Sequence, residues 1–299
     1  VKIAYAFRRG AFYPHSGGDL PPKEGRARYL RKVREMGFEG IELGVSTHDT
    51  TLDDLRKELE DAGVPCVAVR GGGGWIHPRT AAATPQRWME AIRFASQIGA
   101  GIVNGTVTTP PSHPNAPGAR WGDPVSQGSS RTARLEDYER TAKGLREVGA
   151  MAADLGVQIA IEVHQHSIVD NSWSALLLMK LVDHPNVGVN PDLGNIYWTY
   201  DVPEETCEAA IVALAPHAKY WHCKNLCRLH IPEIQRSLFQ QVPLPDGDID
   251  YRFAIAAMLN AGFNGYLAIE GMRLGDQIYG DAKSVAYVKA LLEEWREAG

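Results

Sequence analysis

Met36-Gly37-Phe38-Glu39-Gly40-Ile41-Glu42-Leu43 closes one periodic pattern and opens another within a few residues. Upstream, Gly25–Met36 carries apolar residues at helical spacing. Gly37 suits the left-handed turn that ends a helix, and Gly40–Gly44 is short, apolar and strand-like. The same glycine punctuation returns at Gly63, Gly99, Gly156 and Gly262. Working outward from this phrase, strands are expected at Lys2–Phe7, Gly40–Gly44, Val64–Val69, Gly101–Val107, Val157–Val163, Val187–Asp192, Ala218–Lys224 and Gly265–Glu270. Helices are expected at Gly25–Met36, Leu52–Ala62, Pro85–Ile98, Leu135–Leu155, Ser174–Val182, Pro203–Leu214, Tyr251–Ala261 and Ala282–Glu297. Strict alternation of short apolar runs with longer amphipathic ones is the pattern of parallel strands joined by crossover helices. Its eight repeats in 299 residues predict an α/β fold, a single (β/α)₈ TIM barrel over residues 1–299, since such barrels need about 250 residues.

Two stretches exceed a minimal barrel: Thr108–Arg131, rich in Pro, Gly and Ser, and Asn225–Asp250. They are read as long loops after strands 4 and 7. Loops that follow barrel strands lie on the catalytic face, so both are expected to wall a substrate pocket.

A composition of 44% apolar and 22% charged residues is that of a soluble globular chain. The net charge of −5 without a dense Lys/Arg block argues against nucleic acid as partner. No run of 18 apolar residues suggests a membrane span. The strand-like start Val1-Lys2-Ile3-Ala4-Tyr5-Ala6 and the lack of a long apolar run point to the cytoplasm, and the four scattered cysteines, Cys66, Cys207, Cys223 and Cys227, read as reduced thiols. Cys223 and Cys227 flank no second pair at zinc-finger spacing. Self-association is left open.

Side chains alternate along a strand, so Ala160, Glu162 and His164 share one face of the fifth strand, opposite Ile159, Ile161 and Val163. The polar set is expected to face the barrel interior. By the same alternation Asn190 and Asp192 pair on the sixth strand, Tyr220, His222 and Lys224 on the seventh, and Ala268 and Glu270 on the eighth. Four consecutive strands therefore end in a metal-ligand type: Glu162, Asp192, His222 and Glu270. Three converging buried carboxylates repel one another unless a cation compensates them. One imidazole with three carboxylates suits one divalent ion, Mn²⁺ first, with Mg²⁺, Co²⁺ or Zn²⁺ also acceptable.

At this point the chain resembles the xylose isomerase-like superfamily of TIM barrels, in particular its sugar phosphate isomerase/epimerase group. That group includes ketose 3-epimerases, hydroxypyruvate isomerase and inosose dehydratase. The resemblance covers nearly the whole chain. Its residues are Gly40-Ile41-Glu42-Leu43, Ile161-Glu162, Val189-Asn190-Pro191-Asp192-Leu193-Gly194-Asn195, His222-Cys223-Lys224-Asn225, Asp246-Gly247-Asp248-Ile249-Asp250-Tyr251 and Gly265-Tyr266-Leu267-Ala268-Ile269-Glu270. It implies that Glu162, Asp192, His222 and Glu270 bind one divalent ion and that Glu162 and Glu270 also exchange protons with a keto-sugar or polyol. The implied activity is an isomerase or epimerase that abstracts a proton next to a carbonyl through a metal-bound enediolate.

The chain departs from ketose 3-epimerases at two places. Asn195 stands three residues after the strand 6 aspartate, where those enzymes usually carry histidine, and Lys224 stands two after the strand 7 histidine, where they carry an acid. Lys224, Asn195, His164 and Arg228 are candidate substrate contacts, as are Trp75 and Trp121, whose rings suit stacking on a sugar face. His166 is a weaker candidate beyond His164. Gly71-Gly72-Gly73-Gly74 lacks the Lys-Ser/Thr ending of a phosphate loop. The alternative activity is a lyase or dehydratase that eliminates water or an aglycone from a keto-sugar, since it begins with the same proton abstraction. Less favoured are an endonuclease IV-like nuclease, which needs further histidines where Asn104 and Asn195 stand, and a non-catalytic accessory subunit.

Overall fold

In a computed structural model, residues 1–6, 19–46, 49–108, 129–198, 204–234, 236–273 and 275–298 are described. Phe7, Pro203, Trp121 and most of the expected loop Thr108–Arg131 lie outside them.

The strands are β1 (Lys2–Ala6), β2 (Gly40–Gly44), β3 (Cys66–Gly72), β4 (Ile102–Thr106), β5 (Gln158–Glu162), β6 (Val187–Asn190), β7 (Trp221–Cys223), β8 (Asn225–Ile231), β9 (Arg236–Val242) and β10 (Tyr266–Glu270). The helices are α1 (Lys23–Glu35), α2 (Leu52–Asp61), α3 (Pro78–Ala81), α4 (Thr84–Ile98), α5 (Leu135–Asp154), α6 (Ser172–Val182), α7 (Leu193–Tyr197), α8 (Cys207–Leu214), α9 (Tyr251–Asn260) and α10 (Gln277–Ala298). Eight strands pair in parallel in the order β6-β5-β4-β3-β2-β1-β10-β7. A single bridge between Val189 and Ala218 joins the two outer strands and nearly closes the barrel. This is the TIM barrel expected from the alternation.

Alternation also sorts the side chains. Ile3, Tyr5, Ile41, Leu43, Val103, Ile159, Ile161, Val189, Leu267 and Ile269 point outward into the main core beneath the helices. Ala4, Ala6, Ala68, Ala160, Ala268, Val67, Ile102 and Tyr220 form the smaller cluster of the barrel interior. Small interior residues leave room inside the barrel for larger polar side chains. The glycine stops behave as expected, and Gly99 shows why: it caps α4 at φ 81° and its N–H returns to Ser96. A side chain there would be strained in the left-handed region.

The expected loop Asn225–Asp250 is a correction. It contains an antiparallel hairpin, β8–β9, with Arg228 opposite Phe239 and Leu229 opposite Leu238. Leu226, Gln241 and Ser237 are buried, whereas Leu229 and Leu238 are exposed. Leu226-Cys227-Arg228-Leu229 carries no apolar/polar alternation that would mark a strand, and the stretch also holds Pro232, Pro243 and Pro245. The prolines lie at and beyond the strand ends, where no ladder bond is lost. No described helix is long and apolar enough to cross a membrane.

Candidate metal centre

Glu162 is the last residue of β5 and Glu270 the last of β10; His222 is central in β7, and Asp192 stands two residues past β6. The register places these ends at the same mouth of the barrel. Each of the four offers one ligand atom, and those atoms all lie within 4.8 Å of one another in a buried cluster. Asp192 also caps α7, accepting from the Asn195 N–H at 3.2 Å. That cap holds its carboxylate at the helix start, where the positive end of the backbone dipole favours it.

Neighbouring amides fix the carboxylates. Asn195 Nδ2 donates to Glu162 Oε1 at 2.9 Å, to Asp192 Oδ2 at 2.9 Å and to the Val163 carbonyl at 3.0 Å. Asn104 Nδ2 donates to Glu162 Oε2 at 3.2 Å, and Asn190 Nδ2 donates to Asn104 Oδ1 at 3.0 Å. Lys224 Nζ donates to Asp192 Oδ2 at 2.5 Å and to Glu270 Oε1 at 3.0 Å.

The imidazole is held from behind by a residue whose role sequence reasoning missed. Glu42, fully buried on β2, lies 2.7 Å from His222 Nε2 through Oε2 and accepts from Arg70 Nη1 through Oε1 at 3.2 Å. With Nε2 engaged by Glu42, Nδ1 faces the carboxylates, 3.4 Å from Glu270 Oε1 and 3.6 Å from Glu162 Oε1. A carboxylate behind a ligating histidine fixes the ring and raises its basicity. The signal for Glu42 was a carboxylate at an inward position of an otherwise apolar strand, Gly40-Ile41-Glu42-Leu43-Gly44.

Burial acts to raise every carboxyl here, and the neighbours decide the outcome. His222, with His164 and Lys224, holds Glu162 down at about 2. Lys224 and His222 hold Glu270 well below the usual range against the same burial. Asp192 goes the other way: burial, backed by the charges of Glu270 and Glu162, outweighs Lys224 and pushes it up to about 8. Despite burial, the carboxylates around them raise both His222 and Lys224. Three buried carboxylates packed this closely repel one another, and a divalent ion would supply the positive charge that offsets them. The donor set, one imidazole nitrogen and three carboxylates, fits Mn²⁺, Mg²⁺, Co²⁺ or Zn²⁺.

The other sequence candidates divide. Asn195 and Lys224 join the cluster directly. His164 follows β5 and stands close enough to weigh on Glu162, while its Nδ1 lies 2.6 Å from the Gln165 carbonyl. His166 takes a positive φ of 59° in the same turn. Arg228 sits on the hairpin, where its N–H donates to Asp248 Oδ2 at 2.8 Å, and that carboxylate also accepts from Tyr197 Oη at 2.9 Å. Trp75 is placed apart: it stacks on Trp88 of α4 with ring centroids 6.0 Å apart and packs on Gly144 of α5, where a Cβ would come within 2.3 Å of the ring. That indole fills the helix layer and offers no free face to a sugar. Cys223 and Cys227 are free thiols, and the Cys227 Sγ lies against the Asp246 carbonyl.

A model of the xylose isomerase-like TIM barrel matches residues 30–291. An inosose dehydratase of Clostridium perfringens is 22% identical over 264 residues, covering 84% of this chain and 85% of its own. An L-ribulose-5-phosphate 3-epimerase of Salmonella paratyphi C is 23% identical over 268 residues, 84% of each chain. Among solved structures, a xylose isomerase-like TIM barrel protein from Mycobacterium smegmatis in complex with magnesium superposes with a TM-score of 0.76 at 23% identity, covering 97% of this chain and 96% of that one. The chain belongs to the xylose isomerase-like TIM barrel family.

Proposed function

We propose that the protein is a divalent-metal-dependent isomerase or epimerase of a keto-sugar or related polyol. The observation that carries this reading is the convergence of Glu162 and Glu270, from strands that flank β6 and β7, on one buried cluster with His222 and Asp192. Glu162, Asp192, His222 and Glu270 would hold the ion, and a divalent ion in this fold is supported by the M. smegmatis protein in complex with magnesium. When bound, the ion supplies Lewis-acid polarisation of a carbonyl and its neighbouring hydroxyl. Glu162 and Glu270 carry the protons: one carboxylate removes the hydrogen from the carbon beside the carbonyl and the other returns it. Asn195 holds Glu162 in orientation, and Glu42 keeps the imidazole of His222 aimed at the cluster.

A lyase reading is favoured by one feature, the Lys224 ammonium on Glu270, which places a positive charge beside a candidate base, where it can offset the charge of a departing oxygen. Elimination shares the first step and differs in expelling a hydroxyl. One experiment tests both: the Mn²⁺-loaded protein is incubated with keto-sugars in heavy water and the products are followed by NMR and mass. An epimer of unchanged formula carrying deuterium next to the carbonyl is expected. Loss of water from the product selects the lyase, and no exchange with any keto-sugar rejects proton abstraction altogether.

A further inference from the structure

Lys224 is 4% exposed, and its ammonium reaches two of the four prospective ligands at once, Asp192 Oδ2 at 2.5 Å and Glu270 Oε1 at 3.0 Å. The residue is held on three sides. Tyr251 Oη donates to the Lys224 carbonyl at 2.8 Å and accepts its N–H at 3.0 Å, so both backbone polar groups are pinned by one hydroxyl. The aliphatic stem runs over Gly194, where a Cβ would lie 2.4 Å from Lys224 Cγ. A glycine between two ligand-bearing segments thus leaves the slot that the lysine fills. A buried ammonium is costly unless opposite charges face it, and the two carboxylates that face this one are ligands a metal would meet.

We infer that Lys224 is a resident counter-cation of the ligand set: it holds Asp192 and Glu270 in place in the metal-free protein and lowers the affinity of the site for a divalent ion. The inference rests on the metal reading of the cluster. Without an ion, Glu162, Asp192 and Glu270 set three carboxylates against the His222 imidazole and the Lys224 ammonium, and two of the three reach Lys224 directly. An entering divalent ion must share or take over the two that Lys224 occupies, and it meets a like charge beside them. Removing the ammonium therefore leaves the metal-free site more strained and the metal-bound site freer of repulsion. Both effects act in one direction, toward tighter metal binding. A lysine that served only to touch substrate would leave metal affinity unchanged.

The test uses chelator-stripped full-length protein, titrated with Mn²⁺ alone by calorimetry, for wild type, Lys224→Met and Lys224→Gln, with circular dichroism and thermal melting of the metal-free forms. The expected result is a lower melting point for metal-free Lys224→Met, Mn²⁺ bound at least about tenfold more tightly than by wild type, and Lys224→Gln shifted the same way. If metal-free Lys224→Met does not fold, folded Lys224→Gln decides. Equal or weaker Mn²⁺ binding by the folded variants overturns the inference and leaves the metal reading standing. Absence of Mn²⁺ binding in wild type and variants alike removes the metal reading and this inference with it.

Discussion

Glu42 shows how a single buried carboxylate sets a neighbour's chemistry. It is fully buried, so its charge must be matched, and His222 and Arg70 match it while turning the imidazole so that Nδ1 looks into the cluster. Glu42→Gln keeps the shape and removes the charge. Mn²⁺ affinity measured by calorimetry should fall about 10- to 100-fold, the usual cost of losing such a supporting carboxylate. An unchanged affinity would mean that the ring is oriented by Asn104 Nδ2, 3.4 Å from Nε2, and by packing alone. The two glutamates make the complementary case. Glu162→Gln and Glu270→Gln retain one ligating oxygen but no basicity, so turnover should drop by about 10² or more in protein still carrying metal. If both variants exchange substrate hydrogen at the wild-type rate, the proton carrier is another group, with His164 and Lys224 next to be tested.

Among the elements, α10 is tied to β1 and to the segment after β10 by a group outside the cluster. Asp281 of α10 is buried, accepts from Tyr5 Oη and takes the Met272 N–H at 2.9 Å. Burial raises its carboxyl to about 6, against the pull of those two donors. The folded protein thus binds this proton more tightly than the unfolded chain, whose aspartate titrates near 3.9. The stabilising contribution is fully present below about pH 4 and is lost as pH rises through about 6. The stability of wild type relative to Asp281→Asn, from urea melts, should therefore fall by up to about 3 kcal/mol between pH 4 and pH 7; a flat difference would show that Asp281 titrates normally. The hairpin offers a second test, since Phe239 packs edge-on against Trp198 after α7 and Gln241 Nε2 donates to the carbonyls of Glu270 and Gly271. It therefore braces the strand that carries a catalytic candidate. Phe239→Ala should raise KM more than it lowers kcat, and the reverse pattern would place the hairpin in the chemistry instead.

The same elements show what the sequence carried. Period-two runs such as Val157–Val163 located the barrel strands because each must bury one face in the helix layer, and the inward carboxylates followed from that alternation. The hairpin was hidden because one of its faces meets solvent through Leu229 and Leu238, so burial imposed no pattern on it. Trp75 was misread because a loop position does not disclose which side of the barrel wall the ring will pack against. Only the small residue at Gly144, 69 residues away, makes that space. The roles of Glu42 and Lys224 depend on which strands become neighbours across the interior, and no local spacing encodes that.

At the scale of the whole barrel, the ligands are not spread evenly around the circle. They sit on or just past β5, β6, β7 and β10, which are consecutive around the closed ring, and the middle of that arc is the seam where β6 and β7 meet by one bridge. Across that seam the Lys219 N–H donates to the Val189 carbonyl at 3.0 Å, whereas β3 and β4 share a register running from Ala68 opposite Ile102 to Gly72 opposite Thr106. Asp192 and His222 face each other across the same gap, so an ion bound by both would link the two sides where the backbone ladder is thinnest. Metal would then act as a closure of the barrel as well as a catalyst, and its stabilisation would be local before it is global. Hydrogen exchange on Mn²⁺-loaded and chelator-stripped protein tests this directly: amides of β6, β7 and the Lys219 N–H should exchange about tenfold faster or more on stripping, since that corresponds to about 1.4 kcal/mol of lost local protection. Amides of β3 and β4 should be little changed. Uniform acceleration around the ring would mean that the ion supports the barrel as a whole, and no acceleration anywhere would mean that the seam is already closed by packing of α7 and α8 over it.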